Sequence, residues 1–397
     1  MRRPFAVAIS CTLALCATNT LGAQQLVLSD APDSVITNLV ARLDLERYKA
    51  TIKGLTQFGD RRQGTKRNRD AVDWIEAQLK SYGCAPTERL TYLWQPAPPR
   101  PRSTMAPGQA VGGGTLRGHR RRTSVNTDSL KQPDPRLRAL DTEPTTPGER
   151  QEVYCTKIGS AHPDEMYIVG AHMDGIGWGE AANDDGSGTA LVMELARVLS
   201  APDVRTSRSI RFILWNNEES GLDGAVAYVA QRRALQGKEN PARSRRYPEP
   251  RWLGMIQHDM MMFDHGMPRA DSSVSREQRP EADVNIEFQS KSRMAAESQR
   301  LAWQFHRANE RYARDYPASV GPHMTNTDSD PFKDLVPTIS LRENERGTQI
   351  GAGWDPQWHQ PTDLFVTYSD ADFRLGLNAA QTTLAAIAEL TAATLVK

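Results

Sequence analysis

The sequence predicts an α/β fold, a three-layer α/β/α sandwich around a mainly parallel sheet. Three observations predict it. Beyond residue 150, apolar β-rich runs alternate with amphipathic helical stretches, the pattern of crossover units that build parallel sheets. Helices on either side of such runs cover both faces of the sheet. Histidines and acids follow directly after successive strand candidates, the edge at which open α/β sheets bind ligands. The 397 residues suffice for one large or two ordinary domains. Hydrophobic residues make up 39% and charged residues 24%, as in a soluble globular body. Lys+Arg number 49 against 48 Asp+Glu, a balance that gives no reason to expect nucleic acid or an anionic membrane as partner.

In chain order, residues 1–23 read as a secretory signal peptide. Arg2 and Arg3 precede an uncharged apolar stretch, and Gly22-Ala23 offers small residues for cleavage. The expectation is an exported protein, periplasmic or secreted. No later segment is apolar enough for a membrane span. Cys11 and Cys16 leave with the leader. Cys84 and Cys155 remain, and in an oxidising compartment they read as a possible disulfide or as two buried thiols.

Residues 24–60 read as an N-terminal helical segment, with Val35, Leu39, Leu43 and Leu45 as its stripe. A helix over about 69–81 carries Ala71, Trp74, Ile75 and Leu79 on one face, and Gly83 stops it. Residues 87–94 read as a strand. From about 95 to 150, proline, glycine, serine and arginine replace any apolar period, so a flexible insertion is expected. Its RGHRRR run reads as a solvated linker, since no aromatic context supports nucleic acid. Strands are expected at 152–158, 166–170, 209–215, 252–257 and 338–341. Helices are expected at 188–199, 225–233, 295–314 and 372–396. A second polar insertion covers 236–250.

The chemistry lies in five runs. In YIVGAHMDG the apolar run ends just before His172, with Asp174 two residues on, and a zinc-bound histidine commonly donates its other ring nitrogen to a carboxylate. In AANDDGSG, Asp184 and Asp185 precede a helix, where they also read as caps. FILWNNEESG runs from a strand into Glu218-Glu219. Paired acids at a buried strand end need positive compensation, and ordinary surface acids are the alternative. MIQHDMMMFD ends a strand on Asp259, with His258 as a competing ligand. WDPQWHQPTD places His359 in a proline-bounded loop that Asp363 is suited to orient. Nitrogen and oxygen donors without sulfur suit zinc, with manganese or cobalt as substitutes, and two cations sharing a carboxylate suit hydrolysis.

These motifs resemble metallopeptidase family twenty-eight, the di-zinc aminopeptidases of the bacterial leucyl aminopeptidase type. The runs HMDG, ANDDGSG, NNEESGLDGA, DM and WHQPTD occur in the family's order, after a similar FGDRRQG and helix. The resemblance implies a zinc-exopeptidase, phosphorylase/hydrolase-like fold over residues 61–397, with a mixed, mainly parallel sheet. It also implies two zinc ions and a peptide or protein substrate. Asp184 would bridge the metals, His172 and Asp259 would complete one site, and Glu219 and His359 the other. Glu218 would be the general base and Asp174 would brace His172. The TDSDPF run around Asp330 resembles a segment lining the approach. Trp358 stands where many members have tyrosine and is an oxyanion candidate. The same fold includes carboxypeptidases, for which Arg342 and Arg346 are candidate carboxylate anchors. It also includes glutaminyl cyclases, against which ANDDGSG and EESGLDGA argue. A receptor-like homologue without activity is disfavoured by the complete set of ligands and base.

Overall fold

The computed structural model describes residues 32–96, 125–263, 284–322, 327–343 and 355–396. The expected leader and Arg346 lie outside the described residues. Helix α1 (Ser34–Val40) starts where Asp33 accepts from the N–H groups of Val35 and Ile36, and α2 (Leu45–Thr56) where Asp44 accepts from Arg47. Helix α3 (Lys66–Ser81) is capped by Thr65 and buries Ala71, Val72, Ile75 and Leu79. Gly83 then adopts φ +75°, a left-handed turn that glycine takes without a Cβ penalty.

Strand β1 (Thr87–Trp94) pairs antiparallel with β2 (Gly148–Lys157), setting Thr87 opposite Cys155. Cys84, just ahead of β1, reaches Cys155 in a disulfide with Cα atoms 5.8 Å apart. Between these strands the structure corrects the expectation of a flexible 95–150 insertion for its second half. Residues 125–147 hold a short 3-10 turn and helix α4 (Pro135–Asp141), capped by Asp134. The reason is tertiary: the buried Gln132 side chain donates to the carbonyls of Trp178 (2.7 Å) and Pro361 (3.0 Å).

Strand β3 (His162–His172), helix α5 (Gly186–Leu199), β4 (Val204–Arg205), β5 (Arg208–Trp215), α6 (Asp223–Arg232) and β6 (Arg251–His258) follow. After them come β7 (Val284–Phe288), α7 (Ala295–Tyr312), β8 (Ala318–Gly321), β9 (Thr338–Arg342), α8 (Asp370–Leu390) and β10 (Thr394–Leu395). Among the described residues, one sheet runs β1-β2-β5-β3-β6-β9-β7-β8, and β4 pairs with β10 separately. Strands β5, β3, β6 and β9 are mutually parallel, whereas the β1–β2, β2–β5 and β9–β7 pairs are antiparallel. Strands β7 and β8 were not among the expected strands; VNIEF is a five-residue run, and its polar Asn285 and Glu287 are buried with its apolar residues.

The central strands bury both faces. Val169, Ala171, Phe212 and Leu214 join one core with residues of α2, α3, α5, α7 and α8. Their neighbours Ile168, Ile213 and Trp215 join a second with α6 and Phe332. The architecture is three-layer α/β/α. Ile36, Leu39, Tyr48, Ile52 and Leu55 belong to the larger core, so the N-terminal helical segment is, from Asp33 on, part of the same unit as the sheet. The 236–250 insertion is likewise anchored. Glu249 is buried, accepts from Tyr228 Oη (2.8 Å) and pairs with Arg211 of β5 (2.5 Å). No helix among the described residues is long and apolar enough to cross a membrane.

Candidate metal centre

Parallel register brings the chemistry together. His172 ends β3 level with Trp215 of β5, and Ala171 lies level with His258 of β6. The residues that follow β5 and β6, Glu218-Glu219 and Asp259, therefore emerge at one edge beside His172. Asp184 and Asp185 precede α5, and the structure divides them. Asp185 is the cap, accepting from Gly188 N (2.9 Å), His172 N (3.2 Å) and Met260 N (3.2 Å). Asp184 turns to the histidines instead. Its Oδ1 lies 3.3 Å from His172 Nε2 and its Oδ2 lies 3.0 Å from His359 Nε2.

Two donor groups result: His172 with Glu218 and Asp259, and Asp184 with Glu219 and His359. His172 Nε2 is 3.9 Å from Asp259 Oδ1, and His359 Nε2 is 2.9 Å from Glu219 Oε2. Ligands of one tetrahedral zinc ion at about 2.0–2.1 Å lie about 3.3 Å apart, so the spacings fit. The charges fit as well. Asp184, Glu218, Glu219 and Asp259 face two imidazoles and Arg342, whose Nη2 is 2.6 Å from Asp259 Oδ2. Burial, then the neighbouring carboxylates, pushes Glu218 well above the usual carboxylate range. Burial also raises Glu219 to about 7 against the pull of His359. Burial opposes a charged His359, but Glu219 and Asp184 outweigh it and lift the imidazole to about 10. Such a buried acidic set is the environment a dication compensates.

His359 itself sits at φ +57°, a left-handed conformation that costs a non-glycine residue about 1–3 kcal/mol. Asn126 N–H holds its carbonyl at 3.0 Å. Gly177 passes so close that a Cβ there would lie 2.3 Å from the His359 carbonyl carbon. The half-buried Trp358 stacks on the His359 ring, centroids 3.9 Å and planes 24° apart.

The structure places the other candidate residues as follows. The Asp174 carboxylate does not brace His172 closely: His172 Nδ1 meets the Asp174 backbone carbonyl at 2.9 Å, while the carboxylate lies at 3.9 Å. That carboxylate instead accepts from Glu218 N–H at 3.1 Å. Asp330 binds Lys333 Nζ (2.8 Å) and Gln289 Nε2 (3.2 Å). In the same run it is Asp328 that is fully buried, raised by burial and by the Asp174 and Asp259 charges. His258 turns into the core, its ring nitrogens 3.2 Å from Gly170 O and 2.8 Å from Thr383 Oγ1. Arg342 is committed to Asp259.

A supporting network was not foreseen. Asp363 accepts from Asn183 N (2.8 Å), Asp184 N (3.1 Å) and Tyr368 Oη (2.9 Å). Asn183 Nδ2 reaches Glu343 (2.8 Å) and Asp355 (2.9 Å), and Tyr368 Oη reaches Asp355 (2.9 Å). Only Asp363 had a sequence signal, its place in WHQPTD. Neither Glu343 nor Asp355 was singled out from the sequence.

Residues 153–381, more than half of the chain, match the profile of Peptidase family M28, and the chain belongs to that metallopeptidase family. Aminopeptidase YwaD of Bacillus subtilis (strain 168) is 46% identical over 68 residues, 17% of this chain and 14% of that one. Carboxypeptidase Q of Xenopus laevis is 35% identical over 71 residues, 18% and 15%. The matched stretches thus span only a small part of these curated relatives. The crystallised aminopeptidase from Aneurinibacillus sp. strain AM-1 shares the fold, with a TM-score of 0.58, 20% identity, and 91% and 97% coverage.

Proposed function

We propose that this chain is an exported exopeptidase, an aminopeptidase, that holds two zinc ions on His172, Asp184, Glu219, Asp259 and His359. The observation that carries the reading is the Asp184 carboxylate, which offers one oxygen to each histidine. With Asp184 shared, Asp259 completes the His172 group and Glu219 the His359 group. Glu218 lies within the His172 group and, with Asp184 and Asp259 as that group's carboxylate ligands, serves as the base. Zinc, when bound, polarises a scissile carbonyl and makes water more acidic.

The chain's own residues do the rest. Glu218 accepts the proton of the attacking water and passes it to the leaving amine nitrogen. Asp174 fixes the backbone at Glu218. Acidic side chains beside the centre favour a substrate's free ammonium terminus, and Glu219 Oε1 has no hydrogen-bond partner among the described residues. The leader-like sequence of residues 1–23 and the Cys84–Cys155 disulfide support export. A panel of aminoacyl and carboxyl-blocked peptides, with metal analysis and a chelator arm, tests the proposal. Release of N-terminal residues, abolished by chelation, is expected; chelator-insensitive or purely C-terminal release would overturn it.

A further inference from the structure

Beside Glu219 lies a hollow of about 300 Å³. The returning end of the first insertion forms one wall, with Val125 and Asn126, and Ile176 and Trp178 form another. These walls are fixed to the metal loop. Asn126 N–H bonds His359 O at 3.0 Å, its Nδ2 reaches Gly177 O at 3.4 Å, and Gln132 ties Trp178 to Pro361. Among the described residues that line the hollow, Arg62 is the only lysine or arginine.

The charge of Arg62 is incompletely answered. Its Nη2 is 3.3 Å from Asp60 Oδ2, but Asp60 is already engaged by Arg67 at 2.5 Å. Asp141, the other buried acid at Arg67, is pushed up to about 8 by burial and by Asp60, so it adds little negative charge near neutrality. Arg62 Nε is buried and has no hydrogen-bond partner among the described residues. The guanidinium lies 5.7 Å from the Trp178 ring centroid, an aromatic face that steadies it at the wall. A planar cation only partly answered by Asp60 and lining a preformed hollow next to the reacting centre suits a carboxylate.

We propose that Arg62 is a specificity-determining residue that binds a substrate carboxylate, so that the enzyme prefers peptides bearing one close to the scissile bond. The carboxylate is either the α-carboxylate of a short peptide or an acidic side chain. The inference rests on the peptidase reading above. The test uses zinc-loaded full-length protein and one peptide series: free acid, C-terminal amide, and amides with Glu or Gln beside the scissile bond. Wild type is expected to favour a carboxylate-bearing member about tenfold or more in kcat/KM, the scale of a charge-assisted hydrogen bond. Arg62→Met raises KM for that member about tenfold and collapses the preference, with kcat little changed, while Arg62→Lys restores part of it. The free-acid and Glu arms identify which carboxylate is bound. Equal use of acid and neutral peptides by wild type, or a preference that survives in Arg62→Met, overturns the proposal. If wild type cleaves no peptide, the peptidase reading fails, and calorimetric titration of a free dipeptide decides this one. Weaker binding to Arg62→Met than to wild type supports it, and equal binding refutes it.

Discussion

Asp184 and Asp185 are adjacent acids with different work, and the difference is one of direction. Asp185 spends its oxygens on backbone N–H groups of three segments, and Asp184 spends its own on two imidazoles. Glu218 and Glu219 also part, Glu218 toward the His172 group and Glu219 toward His359. Replacing Glu218 with Gln should leave zinc content unchanged and lower kcat by about 10²–10⁴-fold, the usual contribution of a general base. Near-normal turnover in that variant would remove Glu218 from its role. Glu152 of β2 gives a prediction about pH. It is fully buried, and burial, then Asp328, raises its pKa well above 4.5 against the opposing backbone N–H of Asn216. The folded state therefore holds this proton more tightly than the unfolded chain, and the contribution to stability falls as pH rises above about 4.5. Glu152→Gln should raise Tm, by more at pH 8 than at pH 5; a pH-independent change would contradict the assignment.

At the scale of elements, the centre depends on loops that the sheet does not itself fix. Asp363 grips the backbone of Asn183 and Asp184, and Tyr368 clamps Asp363 to Asp355. Asp363→Asn or Tyr368→Phe should weaken zinc binding by about 10–100-fold, as loss of a partner supporting a ligand commonly does, measured by competition with a chelator. Unaltered affinity would make the network merely structural. The disulfide joins β2 to the turn before β1 across a sequence separation of 71. On the loop-entropy account, replacing both cysteines with serine costs about 4 kcal/mol in denaturant unfolding. Two titratable thiols in the denatured, unreduced protein prepared without residues 1–23, which removes Cys11 and Cys16, would show that the bond does not form. Several of these elements were legible in advance. Helix α3 was visible from Ala71, Ile75 and Leu79, and β3 and β5 from their apolar runs. Strand β7 was not, because Asn285 and Glu287 are polar residues that only burial explains. Helix α4 was not, because nothing local in residues 125–147 announces that Gln132 will bind two distant carbonyls.

Across the whole molecule, zinc binding and folding are linked, because the donor groups come from the end of β3, the turn before α5, the segments after β5 and β6 and the loop before α8, and meet only in the folded state. Chelation should lower Tm and zinc should restore it, with about 4 kcal/mol of added stability at a free-metal level 1,000 times Kd. A saturating stoichiometry of two per chain is expected, and one per chain would dissolve the bridging role of Asp184. By itself the sequence determined the α/β class, the placing of histidines and acids after successive strands, and the donor chemistry, because these follow from local periodicity and residue type. The tertiary structure alone decided which acids are caps and which face the imidazoles. It also decided that Asp328 rather than Asp330 is buried beside the centre, that His258 turns inward, and that the far end of the first insertion walls a hollow beside Glu219. Those outcomes depend on direction and burial, which arise when residues hundreds of positions apart pack together, and no local pattern encodes them.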